Sequence, residues 1–243
     1  MTPRMRADQL LVSRGLFESR ARAQAAIAAG GVAADGMAVK KAAQMIPVGA
    51  ELSADPAHPF VSRGGVKLQA ALARFGFDPA GKVCLDIGAS TGGFTEVLVQ
   101  GGARRVYAVD VGKGQLHPSL RRRGDVVSLE ETDARTLDRS LIPEPPELVV
   151  IDVSFISLKL VLPKVSEIAA PRAALVALVK PQFEAGKRHL RKGIVRDPAV
   201  HRAVCEDLVA FLATLGWEEL GLIESPIAGG DGNREFLLGA QHG

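Results

Sequence analysis

The sequence contains few of the residues that build disulfide-rich, zinc-binding or membrane-spanning proteins. Two of its 243 residues are cysteine, Cys84 and Cys205, and they lie far apart without forming a C-x-x-C pair. This pattern disfavours a disulfide framework and a zinc finger, and no metal site is predicted. The most apolar windows are short or interrupted by Asp152 and Lys159. The sequence therefore predicts neither a membrane span nor a secretion signal, and we expect a cytoplasmic protein with no membrane partner.

Aromatic residues and net charge are also scarce. Aromatics make up 5% of the chain, with one Trp and one Tyr, and 30 basic residues against 27 acidic ones give a net charge of +3. Such a small surplus permits a polyanionic partner without requiring one, so any nucleic acid must be bound through local basic patches. With 47% apolar and 23% charged residues, the chain has enough apolar material to fold around a core.

The first 59 residues predict a small α-then-β module. Two helices are predicted over Arg6–Gly15 and Ser19–Gly30, the second with Ser19 as its N-cap. The Asp35-Gly36 pair marks a β-hairpin, and Val48–Leu52 is predicted as a further strand. Two prolines within Asp55–Pro59 favour an extended connector. We therefore expect one domain over residues 1–59 and a second over 60–243.

Strand-like and helical stretches alternate through the second domain. The strands are apolar throughout, which indicates an α/β fold with a parallel sheet covered by helices on both faces. After a helix near 203–215, two consecutive strands at Trp217–Ile223 and Glu235–Gly239 predict an antiparallel hairpin that closes the sheet. The other predicted strands are Val83–Ile87, Val106–Val109, Val126–Leu129, Leu148–Val153 and Leu175–Val179.

A glycine-rich turn follows the first of these strands. Gly88, Gly92 and Gly93 would let the backbone approach a ligand closely at the start of the next helix. The spacing matches neither G-x-G-x-x-G nor G-x-x-x-x-G-K-[ST]. Dinucleotide and nucleoside-triphosphate ligands are therefore disfavoured.

Acidic residues at strand ends indicate a nucleoside with a cationic tail. Asp110 closes the strand about 20 residues beyond the turn, where a carboxylate accepts hydrogen bonds from both ribose hydroxyls. Asp133 could accept the exocyclic amine of adenine or be a solvated surface residue. With Asp86 and Asp152, these residues surround the ligand with acid, which suits S-adenosylmethionine.

Ionisable residues at further strand ends predict a reaction centre. Lys180 stands where an apolar strand emerges, and segments 62–68, 152–155 and 232–236 place further ionisable groups at or next to strand ends, among them Lys67, Asp152 and Glu235. Taken alone, Lys67 and Glu235 are equally compatible with paired surface charges. In a doubly wound sheet these ends form the ligand crevice.

These motifs together resemble the TlyA, or haemolysin A, family of ribosomal RNA 2′-O-methyltransferases. The resemblance rests on Arg6 to Arg20 and the Asp35-Gly36 hairpin in the first module. In the second it rests on segments 62–67, 86–95, 152–155, 180–184 and 233–236. It implies an S4-like RNA-binding domain and a Rossmann-like, seven-stranded, FtsJ-like methyltransferase domain that uses S-adenosylmethionine.

The resemblance also assigns site residues. The family's Lys-Asp-Lys-Glu tetrad maps onto Lys67, Asp152, Lys180 and Glu235. Asp133 stands where similar proteins often carry Asn. The expected cofactor contacts are Asp86, Gly88, Ala89, Ser90, Thr91, Gly92, Gly93, Phe94, Asp110, Val111, Asp133, Ala134 and Asp152.

Basic patches are the candidate RNA contacts, because so few aromatics are available for stacking. Phe155 and Phe183 are alternatives for stacking on a target base, but packing in the core is the expectation for each. The candidates in the first module are Arg14, Ser19, Arg20, Arg22, Lys40 and Lys41. In the second they are Arg63, Lys187, Arg188, Arg191 and Lys192.

The expected reaction is methylation of a ribose 2′-hydroxyl, which the resemblance places on cytidine in 16S or 23S ribosomal RNA, or both. Lys180 either accepts the hydroxyl proton or stabilises the developing alkoxide as a cation, and the sequence leaves this open. Expected partners are ribosomal RNA or ribosomal subunits, and the protein is expected to be a monomer or weak dimer. The alternatives are a non-catalytic ribosome-assembly factor and a membrane-active haemolysin. A pseudouridine synthase would share the first module but needs a different catalytic domain.

Overall fold

The computed structural model describes residues 3–28, 30–54, 59–229 and 232–243, without the side chain of Lys187. The chain divides into two compact units, Met1–Pro59 and Phe60–Gly243. Most of the predicted connector, residues 55–58, lies outside the described residues. Among the described residues, no helix is long and apolar enough to cross a membrane.

The first unit packs two helices against short antiparallel strands. The predicted helices are confirmed, and Ser19 caps the second, since its Oγ accepts the Arg22 backbone N–H at 3.3 Å. The Asp35-Gly36 hairpin is also confirmed, with both residues at positive φ. The predicted strand Val48–Leu52 is wrong, because a turn at these residues separates two short strands. The elements are β1 (Arg4–Arg6), α1 (Ala7–Ser13), α2 (Arg20–Ala28), β2 (Val32–Ala34), β3 (Met37–Ala38), β4 (Met45–Pro47) and β5 (Leu52–Ala54).

The second unit is built on a seven-stranded sheet, as the alternating pattern predicts. Its strands are β6 (Val83–Ile87), β7 (Arg105–Val109), β8 (Val126–Leu129), β9 (Leu148–Ile151), β10 (Ala174–Val179), β11 (Trp217–Glu224) and β12 (Phe236–His242). Its helices are α3 (Gly64–Phe75), α4 (Gly93–Gln100), α5 (Pro118–Arg121), α6 (Leu162–Ile168), α7 (Pro181–Glu184) and α8 (Pro198–Thr214). The spatial order is β11-β12-β10-β9-β6-β7-β8. Buried apolar clusters cover both faces of the sheet.

The strand order determines where a ligand can bind. Strands β6 to β10 run parallel, and β6 lies between β7 and β9. From β6 the chain adds β7 and β8 on one side of the sheet and then β9 and β10 on the other, so the strand order reverses at β6. Ligands of such sheets bind outside the carboxyl ends of the strands at this point. The C-terminal hairpin is confirmed, with β12 antiparallel to β10 and Phe236 opposite Val179. The residue before β12 therefore lies at the same sheet edge as the residue after β10.

Candidate active site

Two lysine–carboxylate pairs meet at this edge of the sheet. The Nζ of Lys67, near the start of α3, lies 2.5 Å from Oε2 of Glu235, which precedes β12. The Nζ of Lys180, which follows β10, lies 2.5 Å from Oδ1 of Asp152, which follows β9. All four residues line one cavity of about 520 Å³. The structure thus brings together the four residues that the sequence placed in the reaction centre.

These two pairs differ from surface ion pairs because most of their members are buried. Lys67, Glu235 and Lys180 are all buried, where an unpaired charge is costly and a paired one is retained only with good geometry. Lys180 also donates a hydrogen bond of 2.9 Å to Oγ of Ser154. Ser154 was missed by the sequence analysis, although it stands two residues after Asp152 in the same loop. Both ammonium groups are therefore fixed in place beside the cavity.

The glycine turn after β6 brings protein segments together. A methyl group added at Gly88 would overlap the carbonyl oxygen of Asp152, at Gly92 the Leu120 side chain, and at Gly93 Oγ of Ser62. Packing within the protein is therefore a second reason for glycine at these three positions, besides the expected close approach of a ligand. The turn also faces the cavity, whose lining includes Gly88, Ala89, Ser90, Thr91, Gly93 and Phe94.

A second cavity of about 360 Å³ adjoins the first. Asp110 lies on its wall, held by hydrogen bonds from the backbone N–H groups of Ser90 at 2.8 Å and Gly112 at 2.7 Å. Val111, next to it, leaves 72% of its surface exposed, and Ala134 completes an apolar side. Both cavities share walls, made by Gly88, Ser90, Asp152, Ser154 and Phe155. A ligand could therefore extend from Asp110 to the two lysines.

The structure does not bring every predicted carboxylate to the cavities. Asp133 lines the second cavity, but both of its oxygens accept hydrogen bonds from Arg135, which lower its pKa. Asp86 is fully buried, and one of its oxygens accepts a 2.6 Å hydrogen bond from Thr95. Burial, reinforced by the charges of Asp152 and Asp110, raises the pKa of Asp86 to about 7. Asp86 is therefore a core residue behind the turn, and the lining of either cavity does not include it.

An exposed aromatic ring stands at the junction of the cavities. Phe155 is 91% exposed, has a φ of +65°, and lies 5.0 Å from the half-buried ring of Phe183 between centroids. The prediction that Phe155 packs in the core is therefore wrong. A bulky residue at positive φ is strained and is often found at functional sites.

The predicted RNA-binding residues of the first unit include one arginine that is anchored by a buried acid. Arg20 and Arg6 both donate to the carboxylate of Asp8, with Nη2 of Arg20 2.9 Å from Oδ2. The hydrogen bonds, led by that from Arg6, hold the pKa of Asp8 far below its usual range. Arg14 donates instead to the Val48 carbonyl oxygen at 2.6 Å. The other predicted residues are exposed or partly buried: Ser19, Arg22, Lys40 and Lys41.

In the second unit, Arg63 lines the first cavity directly. Arg188, Arg191 and Lys192 are exposed in the segment after α7, and the neighbouring Leu190 and Gly193 line the same cavity. The side chain of Lys187 lies outside what the structure describes. The cavity that holds the lysine–carboxylate pairs is thus bordered by positive charge.

Such a sheet and crevice define the class of the second unit as an α/β methyltransferase fold. A putative S-adenosylmethionine dependent methyltransferase from Listeria monocytogenes matches with a TM-score of 0.56 and 16% identity. The match covers 75% of this chain and 100% of that one. At this identity the likeness concerns the fold alone.

Closer relatives establish the family. The FtsJ-like methyltransferase model matches residues 60–242, and the S4 domain model matches residues 5–52. The 16S/23S rRNA (cytidine-2′-O)-methyltransferase TlyA of Mycobacterium tuberculosis is 45% identical, over 98% of this chain and 90% of its own. Hemolysin A of Brachyspira hyodysenteriae is 39% identical, over 96% and 98%. A solved putative hemolysin from Streptococcus thermophilus is 43% identical, with a TM-score of 0.79 and 100% and 90% covered. The chain belongs to the TlyA family of FtsJ-like methyltransferases with an S4 domain.

Proposed function

We propose that this protein transfers a methyl group from S-adenosylmethionine to the ribose 2′-hydroxyl of a cytidine in ribosomal RNA. The proposal rests on two lysine–carboxylate pairs, with Lys67, Glu235 and Lys180 buried, on the wall of a cavity that adjoins the cavity lined by Asp110. The relative from Mycobacterium tuberculosis, a 16S/23S rRNA (cytidine-2′-O)-methyltransferase, supports the same substrate.

The residues of the second cavity fit an adenosine group. Each Asp110 oxygen already accepts one backbone N–H, which fixes the carboxylate while leaving acceptor capacity for ribose hydroxyls. The exposed side chain of Val111 offers an apolar surface for the base. The Asp133 carboxylate is held by Arg135, so its backbone rather than its side chain is the better candidate contact. When bound, S-adenosylmethionine supplies a methyl group on a positively charged sulfur.

The lysines act on the ribose oxygen. A protonated hydroxyl is a poor nucleophile, and it becomes a better one where cations stabilise its developing negative charge. The Nζ of Lys180 is held in place by Asp152 and Ser154, and that of Lys67 by Glu235. We propose that Lys180 stabilises the alkoxide as a cation and that the hydroxyl proton leaves to solvent. The two carboxylates balance the charge and orient the lysines.

The RNA is bound by positive charge and shape. The S4 unit contributes Arg20, which is oriented by Asp8, and the second unit contributes Arg63 and Arg191 beside the cavity. The exposed ring of Phe155 is available to stack on the target base. The two units are therefore proposed as an RNA-binding domain and a catalytic domain.

Labelled S-adenosylmethionine incubated with the protein and with purified small or large ribosomal subunits tests this function. Label is expected in RNA at a cytidine 2′-oxygen, mapped by mass spectrometry. Lys180→Ala is expected to abolish transfer, and Lys180→Arg, which keeps the charge, is expected to retain a measurable part of it. Lys164→Ala, which removes a partly exposed lysine paired with Glu167, serves as the control.

Two outcomes would support other functions. Binding of subunits without any methyl transfer by the wild-type protein would indicate an assembly factor. Some relatives carry the name hemolysin, so dye leakage from phospholipid vesicles is measured in parallel. Leakage at protein concentrations that saturate methyl transfer would contradict a purely RNA-directed role.

A further inference from the structure

Glu184, at the end of α7, is a half-buried carboxylate to which the sequence analysis assigned no role. Its Oε2 accepts a 2.5 Å hydrogen bond from Oγ of Ser157, and its Oε1 accepts a 2.8 Å hydrogen bond from the backbone N–H of Leu158. Burial removes water from the Glu184 carboxylate and raises its pKa. The hydrogen bonds from Ser157 and Leu158 replace part of the lost hydration. Glu184 is four residues after Lys180 in the chain.

The two donors lie at the end of the loop that follows β9. This loop, residues 152–157, carries Asp152 at its start and Phe155 in its middle, and a 3₁₀ helix begins at Leu158. The φ of +65° at Phe155 is one that a bulky residue adopts only when the surrounding structure holds it there. The Glu184 carboxylate provides such an anchor just beyond Phe155.

Two further contacts join the same pair of segments. Lys180 binds Asp152 and Ser154 at one end of the loop. The ring of Phe155 lies against that of Phe183, which directly precedes Glu184. The loop after β9 and the segment from Lys180 to Glu184 are thus linked at three places, and only the link through Glu184 lies away from the cavities.

We propose that Glu184 is a positioning residue for methyl transfer, which keeps Asp152 and Phe155 at fixed positions relative to Lys180. This rests on the proposed function for its kinetic consequence, while its structural consequence stands by itself. Without the carboxylate, the loop loses its anchor, Phe155 relaxes from its left-handed backbone conformation, and the Asp152–Lys180 pair opens more often.

The test compares Glu184→Ala with Glu184→Gln in the full chain. For Glu184→Ala we expect kcat with ribosomal subunits to fall at least tenfold, because the Asp152–Lys180 pair opens more often. Residues 152–156 also line the second cavity, so the Kd for S-adenosylmethionine should rise as well. Glu184→Gln keeps a carbonyl acceptor of the same shape and should recover most of kcat. Equal losses of kcat in both variants, or unchanged kcat in Glu184→Ala, would overturn the proposal.

Limited proteolysis measures the loop without any assay of activity. Chymotrypsin cleaves after aromatic residues, so the rate of cleavage after Phe155, followed by mass spectrometry, reports how well the loop is held. We expect it to rise at least tenfold in Glu184→Ala and less in Ser157→Ala, which retains the Leu158 contact. Glu167→Gln, which alters an exposed carboxylate on α6, should match the wild type. Unchanged cleavage in Glu184→Ala would refute the anchor, even if the wild-type protein proved not to methylate RNA.

Discussion

Replacing Asp86 with asparagine is expected to stabilise the second unit, and to do so more strongly at pH 8 than at pH 5. The carboxyl is fully buried, and one of its oxygens, Oδ1, has no hydrogen-bond partner among the residues that the structure describes. Its pKa is raised from 3.8 to about 7. Between these values the folded state binds more protons than the unfolded state, so stability falls as the pH rises through this window.

The size of the effect follows from the shift. A rise from 3.8 to about 7 corresponds, at about 1.4 kcal/mol for each pKa unit, to a penalty of about 4 kcal/mol at pH 8 and about 2 kcal/mol at pH 5. Asparagine resembles the protonated acid, because it can still accept the Thr95 hydrogen bond and carries no charge. The variant should therefore gain about 2 kcal/mol more relative to wild type at pH 8 than at pH 5.

Urea unfolding followed by tryptophan fluorescence measures this directly, since the one tryptophan, Trp217, is buried in the same unit. Other titrating groups cancel in the comparison of variant and wild type. Thr95→Val, which removes the donor to the carboxylate, should destabilise the unit more at pH 8 than at pH 5. An advantage of Asp86→Asn that is equal at both pH values would refute the argument, because Asp86 would then keep one charge state across the window.

Three further substitutions test the site. Lys67→Met leaves the buried Glu235 without its lysine partner and should lower the free energy of unfolding by about 3–5 kcal/mol. Adding Glu235→Gln to this variant should recover most of that loss. If it does not, the loss does not come from an unpaired Glu235 carboxylate. Phe155→Ala should change the free energy of unfolding in urea by no more than about 0.5 kcal/mol, because the ring is exposed. It should nevertheless lower the rate of ribosomal RNA methylation about tenfold or more, because the stacking contact is lost. A large loss of stability would contradict the exposure of the ring. Gly88→Ala should lower the free energy of unfolding by more than about 1 kcal/mol, because Gly88 has a left-handed φ and an added methyl group overlaps Asp152. Calorimetry should also show weaker binding of S-adenosylmethionine to this variant. Binding as tight as that of the wild type would show that the turn tolerates a side chain.

Strand and helix periodicity predicted most of the second unit. The apolar strands, the helices between them and the C-terminal hairpin were all evident, because parallel strands buried on both faces leave continuous apolar runs. The strand predicted at Val48–Leu52 was wrong because short, half-exposed strands carry little periodic signal. Phe155 was assigned to the core since apolar character alone cannot show whether a loop turns its side chain outward.

The sequence by itself determined the sheet, the ionisable residues at its strand ends and, through the resemblance, which four of them belong together. Only the tertiary structure decided how they pair. Because β12 runs antiparallel to β10, Glu235 starts its strand where Lys180 ends the neighbouring one, and Lys67 reaches Glu235 from α3. The contacts of the glycines, of Asp86 and of Glu184 likewise join segments that are separate in the chain, and no local pattern encodes them.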